Sequence, residues 1–375
     1  MATTPAASTS PQTPATSEPV IVKTGSEKRF LALDAFRGFI MVTLAAEGFG
    51  FGKLLDHPTY GHIASWFEHV AWEGGVFWDM IQPSFMFMVG VAMPFALARR
   101  KESGATHRQN FNHVSVRALK LILLSQFLII VSSQRLQFQL INVLSQIAFT
   151  YFFTYLLLRL PFRRQAIAAG LILTFHTALF FLFPGPEGAF SKTGNIGAVI
   201  DQSLLGYNYR GYYVTINFIS STVTTLFGAW TGMLLMSEKP RTEKLRILAI
   251  SMVAAFAGGM GLSLVVPNVK RLWTASFTLY STGWVLFIML LFVVLIEVWG
   301  IRKPFFPLVV VGMNSIFIYS LGFLLRKPII HWLEPLTGGF SFAGDLQPVA
   351  ESCGALLVMW YLCYWLYQRK IFLKI

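Results

Sequence analysis

Charge is what this sequence has least of. Only 13% of its 375 residues are Asp, Glu, Lys or Arg, where a soluble domain carries roughly a quarter. That deficit excludes an ordinary soluble globule. The sequence holds only two cysteines, Cys353 and Cys363. They lie ten residues apart in one apolar run, or about 15 Å along a helix, too far to bridge. They form neither a disulfide nor a metal cluster, and read as packing residues. No Walker A loop and no dinucleotide fingerprint is present. No sequence repeat relates the halves, so nothing points to an inverted-repeat transporter. The first 22 residues lack an apolar run and are rich in Ala, Thr, Ser and Pro. That is the composition of a disordered tail rather than of a signal peptide.

What the chain does have is apolar length. It is 55% hydrophobic with a mean hydropathy of +0.59, and the apolar residues come in runs of about 20, the length that crosses a bilayer core. We read spans at approximately 33–52, 76–98, 113–133, 140–160, 165–184, 213–236, 244–266, 274–298, 306–325 and 346–368. The expected fold is therefore an all-α polytopic integral membrane bundle of about ten transmembrane helices. Residues 1–28 form a disordered cytoplasmic tail in this reading, and 29–375 the membrane domain. The formal net charge of +13 marks loops rather than nucleic acid, because Lys and Arg accumulate on cytoplasmic segments. Placing both termini inside puts 22 of the 30 basic residues inside, and the opposite orientation inverts the rule at every loop.

Ionisable groups in or near a span are costly and point to function by default. Asp34 and Arg37 have the spacing of a pair on one helix face, read as a structural anchor. Glu47, Asp79 and Glu351 all fall near the outer ends of spans, at a depth similar to His69. They read either as one polar site or as helix-end carboxylates facing water. The stretch His69-Val70-Ala71-Trp72-Glu73-Gly74, with Asp79 following, is the best place for chemistry. A histidine titrates near neutrality and either accepts a proton or carries an acyl group; the alternative is a structural histidine. His57 and His62 have no ligand spacing with His69 that matches a standard metal site, so no metal is expected. The outer segments 53–75, 185–212 and 326–345 gather polar and aromatic residues, either as a binding face or as an interfacial belt.

Several blocks together resemble the heparan-alpha-glucosaminide N-acetyltransferase family, bacterial members included. They are Leu33-Asp34-Ala35-Phe36-Arg37-Gly38, His69 to Gly90, Ile141-Asn142-Val143-Leu144-Ser145-Gln146, and Gly228 to Gly232 with Glu238 and Lys244. Lys270-Arg271-Leu272-Trp273-Thr274-Ala275-Ser276, Pro304-Phe305-Phe306 and Gly312-Met313-Asn314-Ser315 complete the series. Their order over residues 30–325 makes the likeness specific.

The resemblance implies transfer of an acetyl group from acetyl-CoA, a cosubstrate, across the membrane to a terminal glucosamine or related amino sugar. The family's active histidine maps to His69, as general base or as acetylated intermediate; Glu47 and Asp79 are its candidate carboxylate partners. Arg99, Arg100 and Arg164 are candidates for the charged end of CoA, or serve only as orienting charge. Asn142 and Asn314 either bond the pantetheine arm or a neighbouring helix. The family's human-type members have an asparagine near the outer end of the first helix, where this chain has Glu47 or Gly48 and a longer loop. That departure puts the acceptor in question more than the fold. The large luminal N-terminal region of the animal enzymes has no counterpart here, so the expected location is a bacterial inner membrane with a periplasmic acceptor. The expected partners are a glycan acceptor, membrane lipid and, from the family, a homodimer. A transporter of amino sugars or small glycans is the competing reading, with polar groups lining an alternating-access path. An O-acyltransferase of a lipid or polysaccharide is the third.

Overall fold

The computed structural model describes residues 30–373; the tail expected at 1–28 lies outside them. Thirteen α-helices of eight residues or more are found among the described residues, and no strand. In chain order they are α1 (Leu31–Ala45), α2 (Ile81–Glu102), α3 (His107–Ser133), α4 (Val143–Leu158), α5 (Phe162–Leu182), α6 (Ile196–Leu205) and α7 (Asn217–Met236). There follow α8 (Arg241–Ser263), α9 (Ala275–Val293), α10 (Phe306–Met313), α11 (Ser315–Leu324), α12 (Arg326–Thr337) and α13 (Gln347–Gln368). Among the described residues seven helical stretches are long and apolar enough to cross a membrane, or eight if α10 and α11 count as one broken span. The outward surface is what lipid would cover. Only 11% of the most apolar stretch of α8, and 22% of that of α5, is buried by protein.

The centre is held by close backbone approach. α2 lies along α7, and a Cβ on Gly228 would stand 2.0 Å from the Phe87 carbonyl oxygen, one on Gly90 2.0 Å from that of Thr225. α1 lies along α10 in the same way, where a Cβ on Gly312 would meet the Asp34 carbonyl oxygen at 1.9 Å. Small residues allow this contact, which supplies packing in a setting where lipid tails offer helices no hydrophobic incentive to associate. Asp34 and Arg37 do pair, at 3.7 Å, and Arg37 also donates to the Gly312 carbonyl at 3.3 Å. At the start of α1 the Glu297 carboxylate accepts the Ala32 N–H at 3.1 Å, satisfying a free first-turn donor with a charge of the favourable sign.

Two expected spans differ in shape. The first helix ends at Ala45, and Glu47 takes a left-handed backbone (φ 49°) at the start of a 3-10 stretch, Gly48–Leu54. The segment read as one span at 306–325 is broken at Asn314 by a 74° bend. The buried Asn314 amide explains the break. It donates to the Ile371 carbonyl at 3.1 Å and accepts from the Leu373 N–H at 3.0 Å. An asparagine bonded to backbone in this way competes with the helix ladder.

Candidate functional site

Three connecting segments meet at one end of the bundle. The loop before α2 carries His69; Gly74 of that loop donates to the Asn268 carbonyl at 2.8 Å. Arg271 donates back to the carbonyls of Val70 and Ala71 at 3.1 and 2.8 Å. The Trp72 indole N–H reaches the Phe190 carbonyl at 2.9 Å, tying in the segment between α5 and α6.

At this junction the His69 Nδ1 lies 2.6 Å from Asp79 Oδ1. Asp79 is fixed in a single turn, Phe77–Met80, at the head of α2. Its second oxygen accepts from the Val76 and Val70 N–H groups at 3.3 and 3.4 Å. The buried Lys270 Nζ stands 3.4 Å from Asp79 Oδ1 and 3.3 Å from His69 Nδ1. A carboxylate only accepts and an ammonium only donates, so the proton of His69 sits on Nδ1 and points at Asp79. Lys270 then donates to Asp79, and its approach to Nδ1 is a repulsive contact rather than a second hydrogen bond. Nε2 is left as the basic nitrogen. About a third of the His69 side chain is exposed (35%), against 2% for Asp79. Burial lowers the His69 pKa below its ordinary value; the Lys270 and Arg271 cations push the same way, against the hydrogen bond and charge of Asp79. The imidazole is thus kept neutral near pH 7.

The turn bearing Lys270 is itself held against strain. Trp273, fully buried, has a left-handed backbone (φ 54°), a conformation costing a bulky residue about 1–3 kcal/mol. The Ser220 hydroxyl bonds its carbonyl, and its indole N–H donates to Thr224 at 3.1 Å. Below the histidine a line of buried amides crosses three helices: Gln82 bonds Gln146, Gln146 bonds Asn217. Asn217 Nδ2 then donates to the Arg271 carbonyl at 3.4 Å. On the same face of α7, four and eight residues on, Ser221 and Thr225 bury hydroxyls without a partner.

The other expected residues lie elsewhere. Glu47 pairs with the nearly buried Arg326, which also donates to Ser352 at 3.0 Å. Glu351 pairs with Lys53 at 3.5 Å. The carboxylates therefore divide into two clusters, with Asp79 alone at His69. Asn142 caps α4 by accepting from Leu144 and also accepts the Tyr319 hydroxyl at 3.2 Å. Both ends of the Asn314 amide are taken by backbone, as described. Arg100 donates to Asn110 at 2.6 Å and to the Gln109 carbonyl, bracing the turn between α2 and α3. Arg99 closes α2 in its last turn, and Arg164 is exposed in the first turn of α5. His57 turns to Asp345, at 3.2 Å. Among the described residues no three His, Cys, Asp or Glu side chains converge as a metal site.

Lys270, Gln82, Gln146 and Asn217 are additions to the site. One signal was available for Lys270. With Arg271 it lies between Val269 and Leu272-Trp273, two adjacent cations set in an apolar stretch.

No protein-family model matches the chain. Among curated proteins, the human heparan-alpha-glucosaminide N-acetyltransferase is 24% identical over 423 aligned residues, covering 92% of this chain and 60% of the human protein. The mouse enzyme of the same name is 23% identical, covering 93% of this chain and 61% of its own length. The chain is a distant relative of the heparan-alpha-glucosaminide N-acetyltransferases. It spans about 60% of the length of these relatives. The relationship supports a transferase at the level of family, and the apolar helices support a membrane protein.

Proposed function

We propose that this protein is a transmembrane N-acetyltransferase. It takes acetyl from cytoplasmic acetyl-CoA and delivers it to a terminal glucosamine or related amino sugar on the periplasmic face of the inner membrane, with both termini in the cytoplasm. The observation that carries this reading is the 2.6 Å His69–Asp79 pair with Lys270 behind it, in a chain related throughout to N-acetyltransferases.

The chemistry follows from the geometry. The sugar amine attacks the thioester carbonyl carbon, forming a C–N bond. His69 Nε2 takes the proton that the nitrogen sheds, and Asp79 holds Nδ1–H so that the lone pair of Nε2 stays aimed outward. The C–S bond breaks, and the CoA thiolate leaves and regains a proton, which the His69 imidazolium can return. Positioned acid–base groups of this kind contribute about 10²–10⁴ in rate. A thioester approaching from the cytoplasmic side has to present its pantetheine amides to the bundle interior. The unpartnered hydroxyls of Ser221 and Thr225 fit that demand, because a buried hydroxyl without a partner costs about 1–3 kcal/mol that a ligand amide would recover.

The test uses purified protein in detergent with labelled acetyl-CoA and glucosamine, wild type beside His69→Ala. Label passing to the sugar in wild type and not in the variant is the expected result. Transfer that survives the substitution removes His69 from the mechanism; no transfer and no acetyl-CoA binding would return the transporter reading.

A further inference from the structure

A second polar feature lies beside the His69 junction, and the chemistry above does not use it. The segment from Lys192 to Val214 encloses a cleft of about 380 Å³, lined among others by Lys192, Thr193, Asn208, Arg210, Tyr212 and Tyr213. Its floor is rigid. Tyr209 is buried with its hydroxyl 3.0 Å from that of Thr215, and the buried Asp201 accepts the Thr215 N–H at 2.9 Å. Val214, in the cleft wall, packs in one apolar cluster with Val269 and Leu272, the residues that flank Lys270 and Arg271; Trp72 and Phe190 pack against it. The cleft and the histidine site thus share a wall.

Two properties define what the cleft takes. The first is charge. Lys192 stands over the Tyr212 ring at 4.7 Å, Arg210 lines the opening, and among the described residues neither has a carboxylate partner. The neighbouring acid, Glu187, accepts from the Thr193 hydroxyl and is not part of the cleft lining. A point-like ammonium and a planar guanidinium together suit a phosphate. Three tyrosines beside them offer the mixed apolar and polar faces that a sugar needs. The second property is the apolar edge. Leu182 and Phe183 at the end of the lipid-facing helix α5, and Leu204 on α6, are 73%, 57% and 79% exposed. Leu204 shares α6 with Ala198 of the cleft lining, and Gly185, two residues past Phe183, packs on Gly194 beside Thr193. A cationic, tyrosine-rich cleft in a segment flanked by exposed leucine and phenylalanine has the composition of a water–lipid interface.

We propose that the cleft binds the phosphate of a lipid-linked saccharide, with the lipid chain entering the bilayer past Leu182 and Leu204 and the sugar directed along the shared wall toward His69. That the saccharide is the acetyl acceptor rests on the acetyltransferase reading; the binding does not. A free phosphosugar shares the headgroup chemistry but has no use for the apolar edge.

The experiment titrates farnesyl phosphate, farnesol and inorganic phosphate into the full chain in detergent, in wild type and in the double variant Lys192→Gln/Arg210→Gln. Both side chains are exposed, and a thermal melt confirms the variant's fold. Farnesyl phosphate should bind wild type at least ten-fold more tightly than either fragment, and the double variant should lose that margin. Equal binding of inorganic phosphate and farnesyl phosphate would overturn the lipid-borne ligand. Unchanged binding of farnesyl phosphate in the variant would overturn the cleft as its site. Transfer to glucosamine by wild type is measured separately, so that its failure sinks the enzyme reading and leaves the binding result standing.

Discussion

Replacing Lys270 by methionine removes a unit charge 3.3 Å from His69 Nδ1 while keeping most of the buried volume. At that distance the Coulomb energy runs from about 1 kcal/mol in a water-like medium to about 5 kcal/mol at an effective dielectric constant near 20. With 35% of the His69 side chain exposed, screening places the effect toward the lower end. One pKa unit corresponds to about 1.4 kcal/mol, so the imidazole should titrate about one unit higher in the variant. The other charges at the ring do not reverse the sign. Asp79 stays and, freed of its cation, favours the imidazolium more; Arg271 remains; Glu68, which bonds the His69 N–H at 3.1 Å, is also unchanged. A general base works when unprotonated, and its depressed pKa extends activity to lower pH. Losing Lys270 should therefore move the acid limb of kcat/KM upward by about one unit, so that activity near pH 6 falls up to about ten-fold relative to the alkaline plateau. Lys270→Arg should hold the limb in place. Peptide-resolved acylation of His69 by diethyl pyrocarbonate against pH reports the same pKa without turnover. A limb that stays put, or shifts downward, in Lys270→Met would refute the argument.

Asp79→Asn should cost about 10²–10⁴ in kcat, whereas Glu47→Gln should stay within a few-fold, because Glu47 is paired with Arg326 and Asp79 with His69; equal losses in both would defeat that division. Gly312→Ala forces a methyl group to within 1.9 Å of the Asp34 carbonyl oxygen, and the parting of α1 from α10 should cost about 1–3 kcal/mol, read as a lower Tm in detergent. Asn314→Ala removes both hydrogen bonds to Ile371 and Leu373, should destabilise by about 1–3 kcal/mol, and should speed trimming of the C-terminus by carboxypeptidase; unchanged trimming would show that the amide does not hold that segment.

How much of this was legible in the sequence depends on the range of the interaction concerned. Helical spans are written in runs of about 20 apolar residues, and each expected run from 76 to 298 falls on a helix. The Asp34–Arg37 pair follows from a spacing of three on one helix and is formed. Asn314 has no such local signal. A lone asparagine in an apolar run reads as an amide bonded to a ligand or to a neighbouring helix, and the bend depends on its bonds to residues 57 and 59 positions away.

Depth along a helix was enough to place Glu47, Asp79 and Glu351 near His69, but depth is one coordinate of three. Partners across the bundle set the rest. Glu47 follows the left-handed turn after α1 toward Arg326, and Glu351 turns to Lys53. Asp79 meets His69 because the single turn at the head of α2 carries its carboxylate back over the loop that precedes it. Lys270 arrives from about two hundred residues away, and no periodicity reports that. The resulting division has a physical logic. A carboxylate that must hold an imidazole proton is best buried and saturated with donors, so that it cannot swing away; Asp79 accepts from His69, Lys270 and two backbone N–H groups. Glu47, with 60% of its side chain exposed, has no such restraint. Fixing the partner of the base, rather than the base itself, leaves Nε2 open to an acceptor while the direction of its lone pair is already set.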